Sequence, residues 1–131
     1  MPRRRKKLPP PITAAEWDVM DVLWQDHPRA AVDVHAALAG RRDWSPKTVK
    51  SLLSRLQAKG AVQHERDGNR FLYSPLVSRE DCVLAEGRDL FERAKGAVSP
   101  MLAFFAEEGD LDADDIAALK AILARRAKEK E

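Results

Sequence analysis

The segment from Ser45 to Gly60 constrains the fold of this chain more than any other part of the sequence. Ser45 is a good N-cap residue, and Pro46 occupies the first helical position, where its missing N–H costs nothing. Gly60 supplies a C-terminal stop. At about 100° per residue the large apolar side chains fall on one arc, which consists of Val49, Leu52, Leu53 and Leu56. The segment is therefore predicted to form an amphipathic helix with one buried face.

The opposite arc of this helix is polar and contains no acidic residue. It consists of Lys47, Thr48, Lys50, Ser51, Ser54 and Arg55. A helix that is merely solvated normally mixes charges of both signs, so this arc favours a polyanionic partner. Because residues near the N-terminus of a helix in the major groove of B-DNA reach base edges, we expect Lys47, Thr48 and Ser51 to contact bases. Lys50 and Arg55 lie at the flanks and are expected to contact the DNA backbone.

The hydrophobic period changes from helical to extended after Gly60. Residues 61–66 and 70–74 are two short extended runs, and Asp67-Gly68-Asn69 between them is a strong turn signal. The sequence thus predicts a β-hairpin whose inner side is formed by Val62, Phe71 and Tyr73. Three polar side chains of the hairpin are expected to reach a neighbouring phosphate, and these are Arg66, Asn69 and Arg70.

Two shorter helices are predicted ahead of Ser45. Thr13 and Glu16 form a capping box at the start of the first helix, which Pro28 ends. The second helix covers about residues 31–39, and Val34, Ala37 and Leu38 are expected to point inward. Three short helices followed by a hairpin predict a winged helix-turn-helix DNA-binding domain over residues 12–77, in a chain that is mainly α with a small β-hairpin wing.

Residues 78–131 are predicted to form a helical dimerisation domain. Ser78 caps a helix to about residue 95, Ser99-Pro100 begins a short helix that ends near Glu108, and Asp112 caps the last helix. These helices carry apolar side chains that need a partner: Val83, Leu84, Leu90, Phe91, Met101, Leu102, Phe105, Ile116, Leu119 and Leu123. A second copy of the chain is the simplest partner, since a two-fold dimer matches a palindromic operator. The alternative is that these helices fold back on their own DNA-binding domain.

The charge is distributed unevenly along the chain. Residues 1–77 carry a net charge of +6 and residues 78–131 a net charge of −4, which indicates a polyanion-binding part beside a partner-binding part. Residues 1–11 contain five consecutive cations followed by three prolines after Leu8, and are predicted to be a disordered arm. The arm either lies along DNA, on phosphates or in the minor groove, or is a solvated tail without a role.

The sequence gives no sign of an enzyme, a metal site or a cofactor. Cys82 is the single cysteine, and the three histidines have no carboxylate or cysteine at ligand spacing. We find no nucleophile with an activating base and no glycine-rich phosphate loop, and we expect no small-molecule substrate. No apolar run approaches the roughly 20 residues that span a bilayer. A single cysteine and a basic start followed by prolines without an apolar run favour a cytoplasmic protein.

Several stretches of this chain resemble the penicillinase-repressor family of the BlaI/MecI/CopY type. They are AEWDVM at residues 15–20, DWSPKTVK at residues 43–50, and YSPLV at residues 73–77, with Leu53, Arg55-Leu56 and Lys59-Gly60 at matching positions. The similarity runs from about Ile12 to Leu123. It implies a dimeric winged-helix repressor that binds near-palindromic promoter elements, which in the family resemble TACA paired with TGTA.

The resemblance also implies a mode of induction. Family repressors often stand beside a membrane-bound sensor metalloprotease that detects β-lactams, and cleavage in the dimerisation region relieves repression. By position, the corresponding bond here joins Phe104 and Phe105, although the family has Asn where this chain has Phe104. The copper-responsive branch carries a C-terminal cysteine cluster, which this chain lacks.

A second interpretation of the same pattern is a protein-interaction adaptor. In that case the helix and hairpin would meet an acidic protein instead of DNA. Binding of promoter DNA that weakens steeply with salt distinguishes the repressor from the adaptor.

Overall fold

The computed structural model describes residues 7–130, so the first six residues of the predicted arm lie outside the described range. The described chain contains six helices and three strands in the order α1 (Ala14–Gln25), β1 (Arg29–Ala30), α2 (Ala31–Leu38), α3 (Pro46–Ala58), β2 (Val62–Asp67), β3 (Arg70–Pro75), α4 (Arg79–Arg93), α5 (Val98–Glu108) and α6 (Ala113–Glu129). It divides into two compact units, one that ends at Glu92 and one that begins at Arg93. No helix within residues 7–130 is long and apolar enough to cross a membrane.

The core of the first unit lies between α1, α2 and α3. The capping box predicted for α1 is present, with Thr13 Oγ1 accepting from the Glu16 N–H and Glu16 Oε1 accepting from the Thr13 N–H. The four apolar residues predicted to face inward from α3 are all buried, together with Val19, Met20, Leu23, Val34 and Leu38. Burying each such side chain contributes about 1.5–3 kcal/mol, so these contacts fix how α3 lies against the other helices.

The prediction that Ala37 points inward was wrong, because this residue is exposed. Only Val34 and Leu38 of α2 are buried. These two residues are four positions apart, and the stripe that such a short helix presents to the core is too narrow to include a third position.

The predicted hairpin is present as β2 and β3. The strands pair in antiparallel register from Val62 opposite Pro75 to Asp67 opposite Arg70. The connecting loop is Gly68-Asn69, and Gly68 has a φ of +64°, a conformation that glycine adopts without steric cost. β1 adds a third strand that the sequence did not predict, by pairing Arg29 with Tyr73 and Ala30 with Leu72, so that the strand order is β1-β3-β2.

The hairpin side chain Phe71 does not face the core as predicted. Val62 and Tyr73 are buried, but Phe71 is 44% exposed and lies against the His64 ring with 4.3 Å between ring centroids. Phe71 shares a strand face with Tyr73 but lies nearer the turn, where the hairpin extends beyond the helices that cover its base.

The helices after the hairpin begin near their predicted caps, with one exception. Ser78 Oγ accepts from the Asp81 N–H at 3.0 Å, and Asp112 forms a capping box with Asp115 at the start of α6. α5 begins at Val98 with Ala97 at its cap, so Ser99 is not the cap as predicted. The helix therefore starts two residues earlier than the Ser-Pro signal indicates, shortly after Gly96, which has a φ of +88°.

The first half of α4 belongs to the core of the first unit. Cys82 and Ala85 are 2% and 3% exposed, and Cys82 is part of the same apolar cluster as the three N-terminal helices. The sequence analysis placed the functional boundary after residue 77. That functional division stays a prediction, whereas the compact first unit continues to Glu92.

Candidate nucleic-acid interface

The outer face of α3 is held outward by the burial of its inner face. Lys47, Lys50, Ser51 and Arg55 are exposed, and Thr48 is half-buried. Ser45 Oγ accepts from the Thr48 N–H at 3.2 Å and lies 3.1 Å from Thr48 Oγ1. A hydroxyl offers one donor and two acceptor positions, so both hydroxyls retain capacity for a ligand.

The N-terminus of α3 is electrostatically suited to an anion. Its first turn contains no acidic residue, and Lys47 adds a cation beside the positive end of the helix dipole. The unpaired N–H groups of a first helical turn bind phosphate readily. This end of α3 therefore combines partial positive charge, a full positive charge and hydroxyl groups.

The wing places two further cations near the turn. Arg66, Asn69 and Arg70 are exposed. Arg66 Nε donates to the Gly68 carbonyl oxygen at 3.3 Å, and Arg70 lies 3.6 Å from the Asp67 carboxylate. Both pairings are exposed, and such pairs contribute little energy, so either guanidinium can exchange its partner for a phosphate.

A cavity of about 440 Å³ joins the wing to α3. None of its lining residues, all within the described range, carries a carboxylate: Ala30, Ala31, Val32, Lys50, Ser54, Asn69, Arg70, Phe71 and Tyr73. The structure therefore brings the predicted contacts Lys50, Asn69 and Arg70 around one cavity. The other predicted contacts do not line it, and these are Lys47, Thr48, Ser51, Arg55 and Arg66.

The loop between α2 and α3 is fixed by a carboxylate of α1. Asp18 accepts from Arg41 at 3.1 Å and from Arg42 at 2.5 Å, and its side chain is 12% exposed. Arg42 also lies 4.9 Å above the Trp44 ring, directly before the Ser45 cap. Sequence reasoning missed these two arginines, although two adjacent cations shortly before α3 were the signal that could have found them.

A buried ion pair fixes the C-terminal end of α3. Lys59 Nζ lies 2.6 Å from Glu16 Oε1 and 3.3 Å from the Pro11 carbonyl oxygen. Burial raises the pKa of Glu16, but the Lys59 ammonium and the hydrogen bonds with Thr13 outweigh this effect, so the pKa lies below its ordinary value of 4.5. Glu16 Oε2 is buried and has no hydrogen-bond partner among residues 7–130.

The histidines and the cysteine contact the protein itself. His35 Nε2 lies 2.8 Å from the Trp44 carbonyl oxygen, and His64 Nδ1 lies 2.8 Å from Gln57 Oε1. Burial and the nearby Asp81 carboxylate raise the pKa of the Cys82 thiol, which disfavours the reactive thiolate. Within the described range, no group of three or more His, Cys, Asp or Glu side chains is arranged to hold a metal ion.

The ten residues predicted to form a dimer interface are accessible in the single chain. Met101 is half-buried, and the other nine are between 39% and 65% exposed. Part of this set lines an apolar groove on α4 of about 610 Å³, where Val83, Leu84 and Phe91 lie beside Leu8. Extended exposed apolar surface is typical of interaction sites.

The side chains of the predicted cleavage bond are also exposed. Phe104 is 59% and Phe105 49% exposed, and their ring centroids lie 5.8 Å apart in an edge-on arrangement. Both residues lie within α5, so the peptide bond between them is part of a helix.

Comparison with known proteins identifies similar sequences along most of the chain. The family described as "Penicillinase repressor" matches residues 12–125. The chain is 32% identical to the methicillin resistance regulatory protein MecI of Mammaliicoccus sciuri, covering 88% of this chain and 94% of that protein. It is 32% identical to the penicillinase repressor of Bacillus licheniformis, covering 96% and 98% respectively. The solved DNA-binding domain of the repressor BlaI is 38% identical over 59% of this chain and 93% of that domain, with a TM-score of 0.51.

Proposed function

Because this chain belongs to the penicillinase repressor family, we propose that it is a dimeric transcriptional repressor that binds a near-palindromic operator. The observation that carries the proposal is the exposed, acid-free outer face of α3 beside the wing. The 38% sequence identity to the BlaI DNA-binding domain supports it.

Each part of the interface has a distinct task in this proposal. Lys47, Thr48 and Ser51 enter the major groove and contact base edges, which gives sequence specificity. Lys50 and Arg55 contact the adjacent backbone, and the wing contacts phosphates through Arg66, Asn69 and Arg70. Lys50 and Arg70 line the same cavity between α3 and the wing, which supports their contacting one DNA backbone strand in this proposal.

The dimer supplies two copies of this surface. The exposed apolar residues of α4, α5 and α6 support pairing with a second chain, because apolar surface of this extent is removed from water most simply by a copy of itself. The controlled genes are those of a β-lactam response or a related response, as the names of the relatives suggest. Release from DNA follows cleavage between Phe104 and Phe105 by a membrane-bound sensor metalloprotease.

Binding measurements with one double variant test the recognition surface. Lys47→Ala combined with Thr48→Ala removes a cation and a hydroxyl from the base-reading end of α3. We expect its affinity for a duplex carrying TACA paired with TGTA to fall to that for an unrelated duplex, a loss of at least about a hundredfold. Fluorescence anisotropy measures both affinities.

The control is Arg125→Ala, since Arg125 is exposed on α6, outside α3 and on the side of α6 opposite Ile116 and Leu123. For the unsubstituted chain, log affinity should fall with log salt by about 0.9 per neutralised phosphate. Equal affinities of the double variant and the parent chain would refute the assignment of α3. Salt-insensitive binding, or none, would favour an adaptor with a protein partner.

A further inference from the structure

A cluster of side chains fastens the start of α4 to α1. We call it the α1–α4 junction, and it consists of Trp17, Asp21, Trp24, Val77 and Arg79. Trp24 Nε1 donates to the Val77 carbonyl oxygen at 2.9 Å, and the rings of Trp17 and Trp24 meet edge-on with 5.4 Å between centroids. Arg79 lies 5.7 Å above the Trp17 ring, and its Nε is 3.6 Å from Asp21 Oδ1. The chain is thus held on both sides of the α4 cap.

The residues around the junction restrict α4 further. The Leu76 N–H donates to the Ala61 carbonyl oxygen at 2.8 Å, which fixes the exit from the wing. Ser78 caps the helix, and Cys82 and Ala85 are buried in the core of the first unit. Since α1 and α3 share that core, the direction of α4 is fixed relative to the recognition helix.

The later half of α4 carries exposed apolar residues that the proposed function assigns to the dimer. Leu90 and Phe91 are 39% and 42% exposed, and they lie more than two helical turns beyond the buried Cys82. α4 therefore begins in the DNA-binding core and ends in the surface that would meet the second chain. A change of its direction at the junction would alter the separation of the two recognition helices.

We infer that the α1–α4 junction sets the spacing between half-sites that a dimer of this chain accepts. This inference rests on the proposed function. An α-helix of 15 residues is about 22 Å long, so a tilt of about 10° at its base moves its far end by about 4 Å. Adjacent base pairs are about 3.4 Å apart, so such a tilt corresponds to a spacing error of about one base pair.

Two variants test the junction without touching the DNA-contacting face. Trp24→Phe keeps an aromatic ring but removes the N–H donor, and Arg79→Gln removes the cation from a side chain that is 65% exposed. The double variant and Arg79→Gln alone are titrated against a duplex with one half-site and against duplexes with two half-sites at spacings that differ by one or two base pairs. Thermal melting and sedimentation check folding and dimerisation.

The parent chain should prefer one spacing by at least about tenfold, because only that spacing lets both recognition helices bind together. In the double variant we expect this preference to shrink to about threefold or less, with Arg79→Gln intermediate, while half-site affinity stays within about twofold. Arg125→Gln on α6 is the matched control and should retain the parent preference.

Three outcomes would overturn the inference: an unchanged spacing preference in the double variant, a parallel loss of half-site affinity, or a variant that sediments as a monomer. A parent chain that binds half-sites without any preferred spacing would contradict the paired binding of the proposed function, and the inference with it. A parent chain that binds neither kind of duplex would refute the proposed function itself, whereas the three outcomes for the variant concern the inference alone, so the two failures are distinguishable.

Discussion

Single residues far from the outer face of α3 determine how that face is held. Glu16 is fully buried, and its ion pair with Lys59 joins the first turn of α1 to the end of α3. Asp18, two residues further along α1, binds Arg41 and Arg42 of the loop that precedes α3. Both ends of the recognition helix are therefore fixed to α1 by carboxylates.

The Glu16–Lys59 pair gives a stability prediction. Lys59→Met leaves a buried carboxylate without its cation, and we expect the free energy of unfolding to fall by about 3 kcal/mol. Urea denaturation followed by tryptophan fluorescence measures this change. Arg125→Met on exposed α6, opposite the proposed dimer contacts, is the control and should change the free energy of unfolding by less than about 0.5 kcal/mol. A loss for Lys59→Met as small as that of the control would contradict a role for the ion pair.

The lowered pKa of Glu16 gives a pH dependence with a definite sign. A carboxyl whose pKa is lower in the folded state contributes stability above its ordinary value of 4.5, and this contribution is lost as pH falls through the folded-state pKa. The parent chain should therefore lose stability below about pH 4.5 more steeply than Glu16→Gln, which cannot titrate at this position. Denaturation midpoints between pH 3 and pH 7 compare the two, and identical slopes would show that the Glu16 carboxyl is not responsible.

At the scale of elements, the sequence predicted the helix start and the turn that local residue signals specify. It did not predict the features that depend on tertiary packing. The start of α3 followed from Ser45-Pro46, and the wing followed from Gly68-Asn69 between two extended runs. β1 is only two residues long, so no period can reveal it, and it forms because β3 offers an unpaired edge. The strand alternation of Phe71 predicted an inward side chain. Phe71 is exposed because the hairpin extends past the helices, and tertiary packing determines that extent.

Likewise, only part of the nucleic-acid interface could be predicted from the sequence. The one-sided charge of α3 follows from its residue types and the helical period alone. The grouping of Lys50, Asn69 and Arg70 around one cavity depends on the angle between the wing and α3, which sequence spacing does not determine. Arg41 and Arg42 were overlooked because their partner, Asp18, lies more than 20 residues away along the chain.

The wing turn gives a prediction at this scale. Gly68 has a positive φ, and no atom lies within 4 Å of where a Cβ would be added, so Gly68→Ala is opposed by backbone strain alone, about 1–2 kcal/mol. The strained turn should displace Arg66 and Arg70 and make the salt dependence of DNA binding shallower by about one to two phosphates. Gly40→Ala, at an open position without positive φ, is the control. A variant with the parent slope would mean that the wing does not contact phosphate.

At the scale of the whole molecule, the chain combines a closely packed first unit with helices whose apolar side chains remain accessible. No residue of α5 or α6, both of which lie within the described range, is buried in the single chain. In our proposal the second chain covers this surface and links two DNA-binding units. Such linkage raises affinity for paired half-sites by about a hundredfold to ten-thousandfold over one half-site.

The proposed cleavage between Phe104 and Phe105 follows from the same arrangement. Cutting α5 would separate α6 from the DNA-binding unit and remove part of the dimer surface, so the paired-site advantage would be lost. Cells that contain the chain and the sensor protease, when given a β-lactam, should accumulate a fragment that ends at Phe104, as measured by mass spectrometry. Phe105→Asp is expected to resist cleavage. Derepressed target genes with a fully intact chain would contradict this mode of induction.

The central claim is that the outer face of α3 is presented twice to one DNA duplex. The most direct measurement is selection of bound duplexes from a random pool, followed by sedimentation of the complex with the selected sequence. The account predicts two inverted half-sites whose centres are about one helical turn, 10 to 10.5 base pairs, or a multiple of it apart, with two chains on each duplex. A pool without enriched sequences, or a single unrepeated site that binds one chain, would contradict it.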